Sequence, residues 1–151
     1  MKKLLAFACT ALLLAGCGSS GEVKKESKTC SMEESGIKMD IKMDAEDDVI
    51  KTIELSYLMP GSLLGGDASE LSEDDMKTMG DAVLGQLGVK EGEGINANFK
   101  AKDKDLVATV NIDLSKTDAS ILNKMGISGN TKNVKLSETV ESAEKSKMTC
   151  K

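Results

Sequence analysis

The chain contains no histidine, no arginine and no tryptophan, so each of its 20 cations is a lysine, set against 25 Asp and Glu. Imidazole is the usual general base near neutral pH and the commonest metal ligand; without it, every Ser-His-Asp, Cys-His or His-metal mechanism is excluded. Without guanidinium there is no bidentate grip on phosphate, and a formal net charge of -5 repels a polyanion, so nucleic acid is not an expected partner. The main apolar run, Leu4 to Ala15, covers about 18 Å as a helix, short of the roughly 30 Å hydrocarbon core of a bilayer. With 151 residues the chain has room for one ordinary domain plus small appendages.

Lys2 and Lys3 precede that run, which gives the charged and apolar regions of an export signal. The run closes on Leu14-Ala15-Gly16-Cys17, which resembles the lipobox of bacterial lipoproteins: an aliphatic residue, two small ones and the modified cysteine. In that family the cysteine thiol takes a diacylglyceryl group and a peptidase cuts just before it. Ala15 and Gly16 suit such a cut, because a cleft can approach a backbone with almost no side chain. The resemblance implies a signal peptide over 1–16, lipidation of Cys17 and attachment to the lipid bilayer through that acylated cysteine. Two acyl chains hold lastingly where one binds marginally. The expected address is the extracytoplasmic face of the cell membrane. The alternative is a free thiol behind an ordinary signal peptide.

Residues 17–29 are rich in Gly, Ser, Lys and Glu with Val23 as the one large apolar residue, which reads as a flexible tether. Its root-mean-square reach to Cys30 is about 20 Å and its stretched limit about 45 Å. Residues 30–151 form the expected domain. Cys9 leaves with the signal and Cys17 is acylated, so Cys30 and Cys150 remain at the two ends of the folded region. In an oxidising compartment this favours one disulfide closing the domain. Two sulfurs with no histidine make a poor zinc site, and the spacing lacks the C-x-x-C of a thiol oxidoreductase. Free thiols in a compartment without oxidants are the remaining reading.

Ile37, Met39, Ile41 and Met43 alternate with Lys38, Asp40, Lys42 and Asp44, the period of a strand with one buried face. A polar turn over Ala45–Asp48 leads to a second strand, Val49–Met59, with Ile53, Leu55, Tyr57 and Met59 on one face. Pro60-Gly61 and Gly65-Gly66 mark a loop. Ser72 ahead of Glu73, Asp74 and Asp75 places an N-cap and carboxylates at a helix start; Met76, Met79, Val83, Leu84 and Leu87 follow at helical spacing, and Gly88 is a natural stop. Gly80 and Gly85 weaken that helix by about 1 kcal/mol each relative to Ala, so tertiary packing must hold it.

A second hairpin pairs Ile95, Ala97, Phe99 and Ala101 with Leu106, Ala108, Val110 and Ile112. Thr117-Asp118 can cap a brief helix through Ile121, Leu122 and Met125, stopped at Gly126, and Ser137 opens a last helix carrying Val140 and Ala143. Met148–Cys150 then returns to the body. The predicted fold is α+β, an antiparallel sheet built from two hairpins with two to three helices packed on it. Beyond the signal the aromatics are Tyr57 and Phe99, so the core draws on aliphatic side chains and methionine.

Met39 with Met43, and Met76 with Met79, could form a soft Cu(I) site, but their spacing is that of core positions. The acidic stretches Asp44–Asp48 and Asp67–Asp75 lack the ligand register of a Ca2+ loop and read as a charged turn and a helix N-terminus. No catalytic residue, metal site or cofactor is nominated.

The Cys17 lipobox, the entry Lys28-Thr29-Cys30-Ser31, the hairpin Gly36–Met59, the helix from Ser72 and the ending Glu144–Lys151 together resemble the YehR-like lipoproteins, a bacterial family defined by a domain of unknown function. The likeness covers Cys30–Lys151 and implies helices against an antiparallel sheet; it brings no catalytic residues with it. The expected role is a non-enzymatic, membrane-anchored binding or envelope-assembly module, its partner an envelope protein or small ligand. The alternative is a small solute-capturing lipoprotein serving a transporter.

Overall fold

The computed structural model describes residues 23–90, 92–124 and 133–151. Within them six antiparallel strands form one sheet: β1 (Lys25–Glu34), β2 (Ile37–Glu46), β3 (Val49–Met59), β4 (Ile95–Lys102), β5 (Asp105–Asp113) and β6 (Thr149–Cys150). Their spatial order is β4-β5-β3-β2-β1-β6. Both expected hairpins, β2–β3 and β4–β5, are present and pair with each other through β3 and β5.

The turns are two residues long and carry the backbone that such links need. Ser35 (φ 53) and Gly36 (φ 83) join β1 to β2, while Asp47 (φ 50) and Asp48 (φ 64) join β2 to β3. Positive φ at both central positions gives the twist that suits antiparallel strands, and Asp tolerates it through local hydrogen bonding.

Alternation sorts the sheet into two faces. On one, Met43, Ile53, Ile112 and Ile95 stand side by side across four strands and are all buried. Toward the Ser35–Gly36 end, the row Met32, Met39, Tyr57, Ala108, Phe99 crosses five strands and is half-buried except at Ala108. The other face carries Lys42, Thr52, Glu54, Asn111 and Asn96, all exposed. One irregularity keeps β3 in pattern: the register shifts between Asp44 and Ala45, so Lys51 is an extra residue. Ile50 and Ile53 therefore both reach the core although three residues apart.

After a short helix α1 (Gly61–Leu64), whose leucines are exposed, and a 3-10 turn over Ala68–Glu70, three helices pack on the apolar face: α2 (Glu73–Leu87), α3 (Ala119–Lys124) and α4 (Leu136–Lys145). Ser72 and Asp75 cap α2 reciprocally: Asp75 N–H donates to Ser72 Oγ at 3.1 Å and Ser72 N–H to Asp75 Oδ2 at 3.1 Å. At the far end Gly88 adopts φ 70, Val89 N–H donates to the Leu84 carbonyl at 3.0 Å and Gly88 N–H to that of Gly85 at 3.1 Å, which stops the helix as expected. Leu84, Ile121, Leu122, Leu136 and Met148 join the sheet residues in one core.

Four expectations are revised. Lys25–Thr29, assigned to the tether by composition, form the first half of β1; a strand with few core-facing side chains shows little alternation. The loop after Pro60 contains α1 and the 3-10 turn. Ser137 lies inside α4, not ahead of it: the Asp48 carboxylate, 89 residues away in the β2–β3 turn, accepts Ser137 N–H at 2.8 Å and Ser137 Oγ–H at 2.9 Å. Leu136 N–H donates to the Asp48 carbonyl at 2.8 Å, so a distant turn supplies the cap. Finally, the two-hairpin sheet gains β1 and β6. Met125 and Gly126, expected to end the brief helix, lie outside the described residues.

Candidate functional site

The two cysteines meet at one edge of the sheet. Cys30 on β1 and Cys150 on β6 are cross-strand partners with Cα atoms 4.0 Å apart, and their sulfurs are bonded. Thr29 and Lys151 exchange both backbone hydrogen bonds, at 3.0 and 2.9 Å, so the cysteine pair occupies the closer, non-hydrogen-bonded position beside them. Cys30 is wholly buried. A bond spanning 120 residues removes about 5 kcal/mol of chain entropy from the unfolded state as an upper figure. Cys17 lies outside the described residues.

The opposite edge is different. β4 is the last strand on that side, and α2 packs along it. The two come very close at Gly80, where a Cβ would stand 2.9 Å from the Ala97 carbonyl oxygen. Gly80 lies four residues from Met76 and from Leu84, on the same helix face; its lack of a side chain is what lets α2 reach the strand. Between helix and strand runs an open groove of about 600 Å³, lined by Met76, Leu84, Ala97, Phe99 and Ala101, with Lys77 and Asp81 among its polar rim. Phe99 was visible in the sequence as a strand residue and Met76 as a helix residue. Gly80, a glycine on an apolar helix face, was the available signal for a close approach.

The acidic side chains are used locally. Asp67, Asp113 and Asp118 each accept the backbone N–H of the serine two residues on, Ser69, Ser115 and Ser120, at 2.7 to 3.0 Å. The serine hydroxyls are the main cause holding these carboxyls below the ordinary range. The Ser31 hydroxyl does the same for Asp40, the Ser27 hydroxyl for Asp44, the Ser72 hydroxyl for Asp75 and the Ser137 N–H for Asp48. Such groups are fully ionised at neutral pH and serve as turn and cap acceptors. Thr117 is the buried polar side chain among the described residues, and its hydroxyl donates to the Asp113 carbonyl at 2.8 Å.

The methionine pairs stay apart. Met39 and Met43 are on β2, Met76 and Met79 on α2, and β3 and β5 separate β2 from the strand α2 packs on, a spacing of roughly 14 Å. Among the described residues no group of three or more Cys, Asp or Glu is placed to hold a metal ion. Nor is any helix among them long and apolar enough to cross a membrane.

A single antiparallel sheet, helices on one face and a polar second face open to solvent, defines an α+β open-faced sandwich. The same fold is found in the YehR protein of E. coli, determined by NMR, with a TM-score of 0.61 at 21% identity over 85% of this chain and 91% of that one. A protein from Streptococcus pneumoniae TIGR4, also determined by NMR, superimposes with a TM-score of 0.53 at 13% identity over 100% of this chain and 98% of that one. No family model and no curated protein matches the sequence.

Proposed function

We propose that the chain is an extracytoplasmic lipoprotein of the YehR-like family, anchored to the cell membrane through acylated Cys17, and that its domain is a non-enzymatic binding or envelope-assembly module. The observation that carries the reading is Leu14-Ala15-Gly16-Cys17 behind Lys2, Lys3 and a short apolar run. The shared fold with E. coli YehR supports it. With β1 starting at Lys25, the tether has a stretched limit of about 27 Å, which holds the domain close to the bilayer. Lys24 N–H donates to Asp47 Oδ1 at 2.9 Å, so the tether leaves beside the β2–β3 turn. The Ser35–Gly36 and Asp103–Lys104 turns lie at the other end of the strands from this tether.

Binding is favoured over catalysis because the groove beside β4 has an apolar floor and no buried carboxylate or nucleophile among the described residues. It is favoured over solute capture because the groove is open and its polar rim is solvent-exposed, where a capture site encloses its ligand. The test of the anchor is growth of the native cell with an alkyne fatty acid. Label should appear on the wild-type chain and vanish in Cys17→Ser, which should accumulate as uncleaved precursor. An intact mass that retains Met1 and lacks any acyl increment would overturn the reading.

A further inference from the structure

β4 has an outer edge whose backbone groups point away from the sheet. Asp113 N–H donates to the Gly94 carbonyl at 2.7 Å, so Gly94 and Asp113 are a hydrogen-bonded pair of the β4–β5 ladder. Antiparallel geometry repeats that arrangement at every second residue, so Asn96, Asn98, Lys100 and Lys102 bond to β5 while Ala97, Phe99 and Ala101 aim their N–H and C=O outward. Gly80 of α2 closes the edge at Ala97. From Phe99 to Ala101 the edge borders the groove; Phe99 is half-buried and Ala101 exposed.

The side chains along this edge have a definite complement. Phe99 and Ala101 face the groove with Met76; strand alternation puts Lys100 and Lys102 on the other face, with Lys100 also at the groove's rim together with Glu73, Lys77 and Asp81. Neither lysine makes an ion pair among the described residues. A strand laid against β4 places one residue opposite Phe99, directed into the groove, and the residues one and three positions along from it beside Lys100 and Lys102. Cross-strand neighbours of opposite charge attract and like charges repel, and edge lysines disfavour pairing with a second lysine-bearing β4.

We infer that the outer edge of β4 binds an extended segment of a partner protein in which acidic and apolar residues alternate, adding it to the sheet as a further strand. The backbone of Phe99 and Ala101 supplies the hydrogen bonds, the groove takes the apolar side chain, and Lys100 and Lys102 select the acidic ones. The inference rests on the binding-module reading and names the partner chemistry of its groove.

The test uses the full chain extracted in detergent and a dye-labelled synthetic peptide of about nine residues, the length of an ordinary strand, with Val alternating with Glu. Anisotropy at low salt should show saturable binding at least about tenfold tighter than for the peptide with Lys in place of Glu. The pair Lys100→Glu, Lys102→Glu should invert that preference. Ala101→Pro should abolish binding with unchanged circular dichroism, because the lost N–H faces outward and an edge strand tolerates proline there. Equal binding of both peptides, binding that survives a folded Ala101→Pro, or self-association of the chain through this edge would each overturn the proposal. Loss of acyl labelling at Cys17 bears on the anchor alone, so the two failures are distinguishable.

Discussion

Two glycines in one helix should respond to the same substitution with opposite signs. Gly85 is exposed and a Cβ there meets nothing within 4 Å, so Gly85→Ala removes only the entropic penalty of glycine in a helix. The expected gain is about 0.5–1 kcal/mol, or about 2–5 °C in Tm for a domain of this size. Gly80→Ala gains the same propensity but sets its methyl 2.9 Å from the Ala97 carbonyl oxygen, closer than carbon and oxygen pack. Because the obstacle is backbone of a strand held in the ladder, α2 must move off by several tenths of an ångström. Overpacking of that kind costs about 1–3 kcal/mol, so the net is a loss of about 0.5–2 kcal/mol. With no tryptophan and one tyrosine, far-UV circular dichroism under urea, disulfide intact, is the suitable assay. A Gly80→Ala protein as stable as Gly85→Ala would refute the close approach of α2 to β4.

Alkylation of the unreduced protein should leave Cys30 and Cys150 unlabelled, and Cys150→Ser should lower stability by about 2–5 kcal/mol in urea titration; labelling of both cysteines would contradict the clasp. Lys147 ends α4 at φ 66, with Met148 N–H donating to the Ala143 carbonyl at 3.1 Å, so Lys147→Gly should relieve left-handed strain and raise stability by about 0.5 kcal/mol, read as a shift in the urea midpoint. Asp40 and Asp44 titrate below their ordinary range when folded, so their contribution is present above the unfolded value near about 4 and is lost as pH falls through the folded values. The urea midpoint should therefore drop below about pH 4, less steeply in Ser31→Ala, where Asp40 loses its hydroxyl donor; an identical acid profile for that variant would count against the Ser31–Asp40 bond.

Where local rules decide the outcome, the residues alone sufficed. The strand Ile37–Met43 was legible because a half-buried strand repeats every two residues, and α2 because Ser72, Asp75 and Gly88 satisfy their own helix ends within a few residues. The antiparallel α+β class followed from the two hairpins and the helix between them. The pairing of Cys30 with Cys150 could be reached by elimination, since the other two cysteines lie in the segment proposed as signal and lipobox.

Long-range placement decided the rest. β1 stayed hidden because a strand with polar residues on both faces has almost no period, and only its partners β2 and β6 hold it extended. The cap of α4 comes from Asp48, and no local window relates Asp48 to Ser137. The groove beside β4 needs Gly80 and Ala97 in contact, a distance that neither helix nor strand periodicity contains. Each element's own backbone bonds and hydrophobic period are written into neighbouring residues; which edges remain open, and what stands beside them, is settled only when distant segments pack.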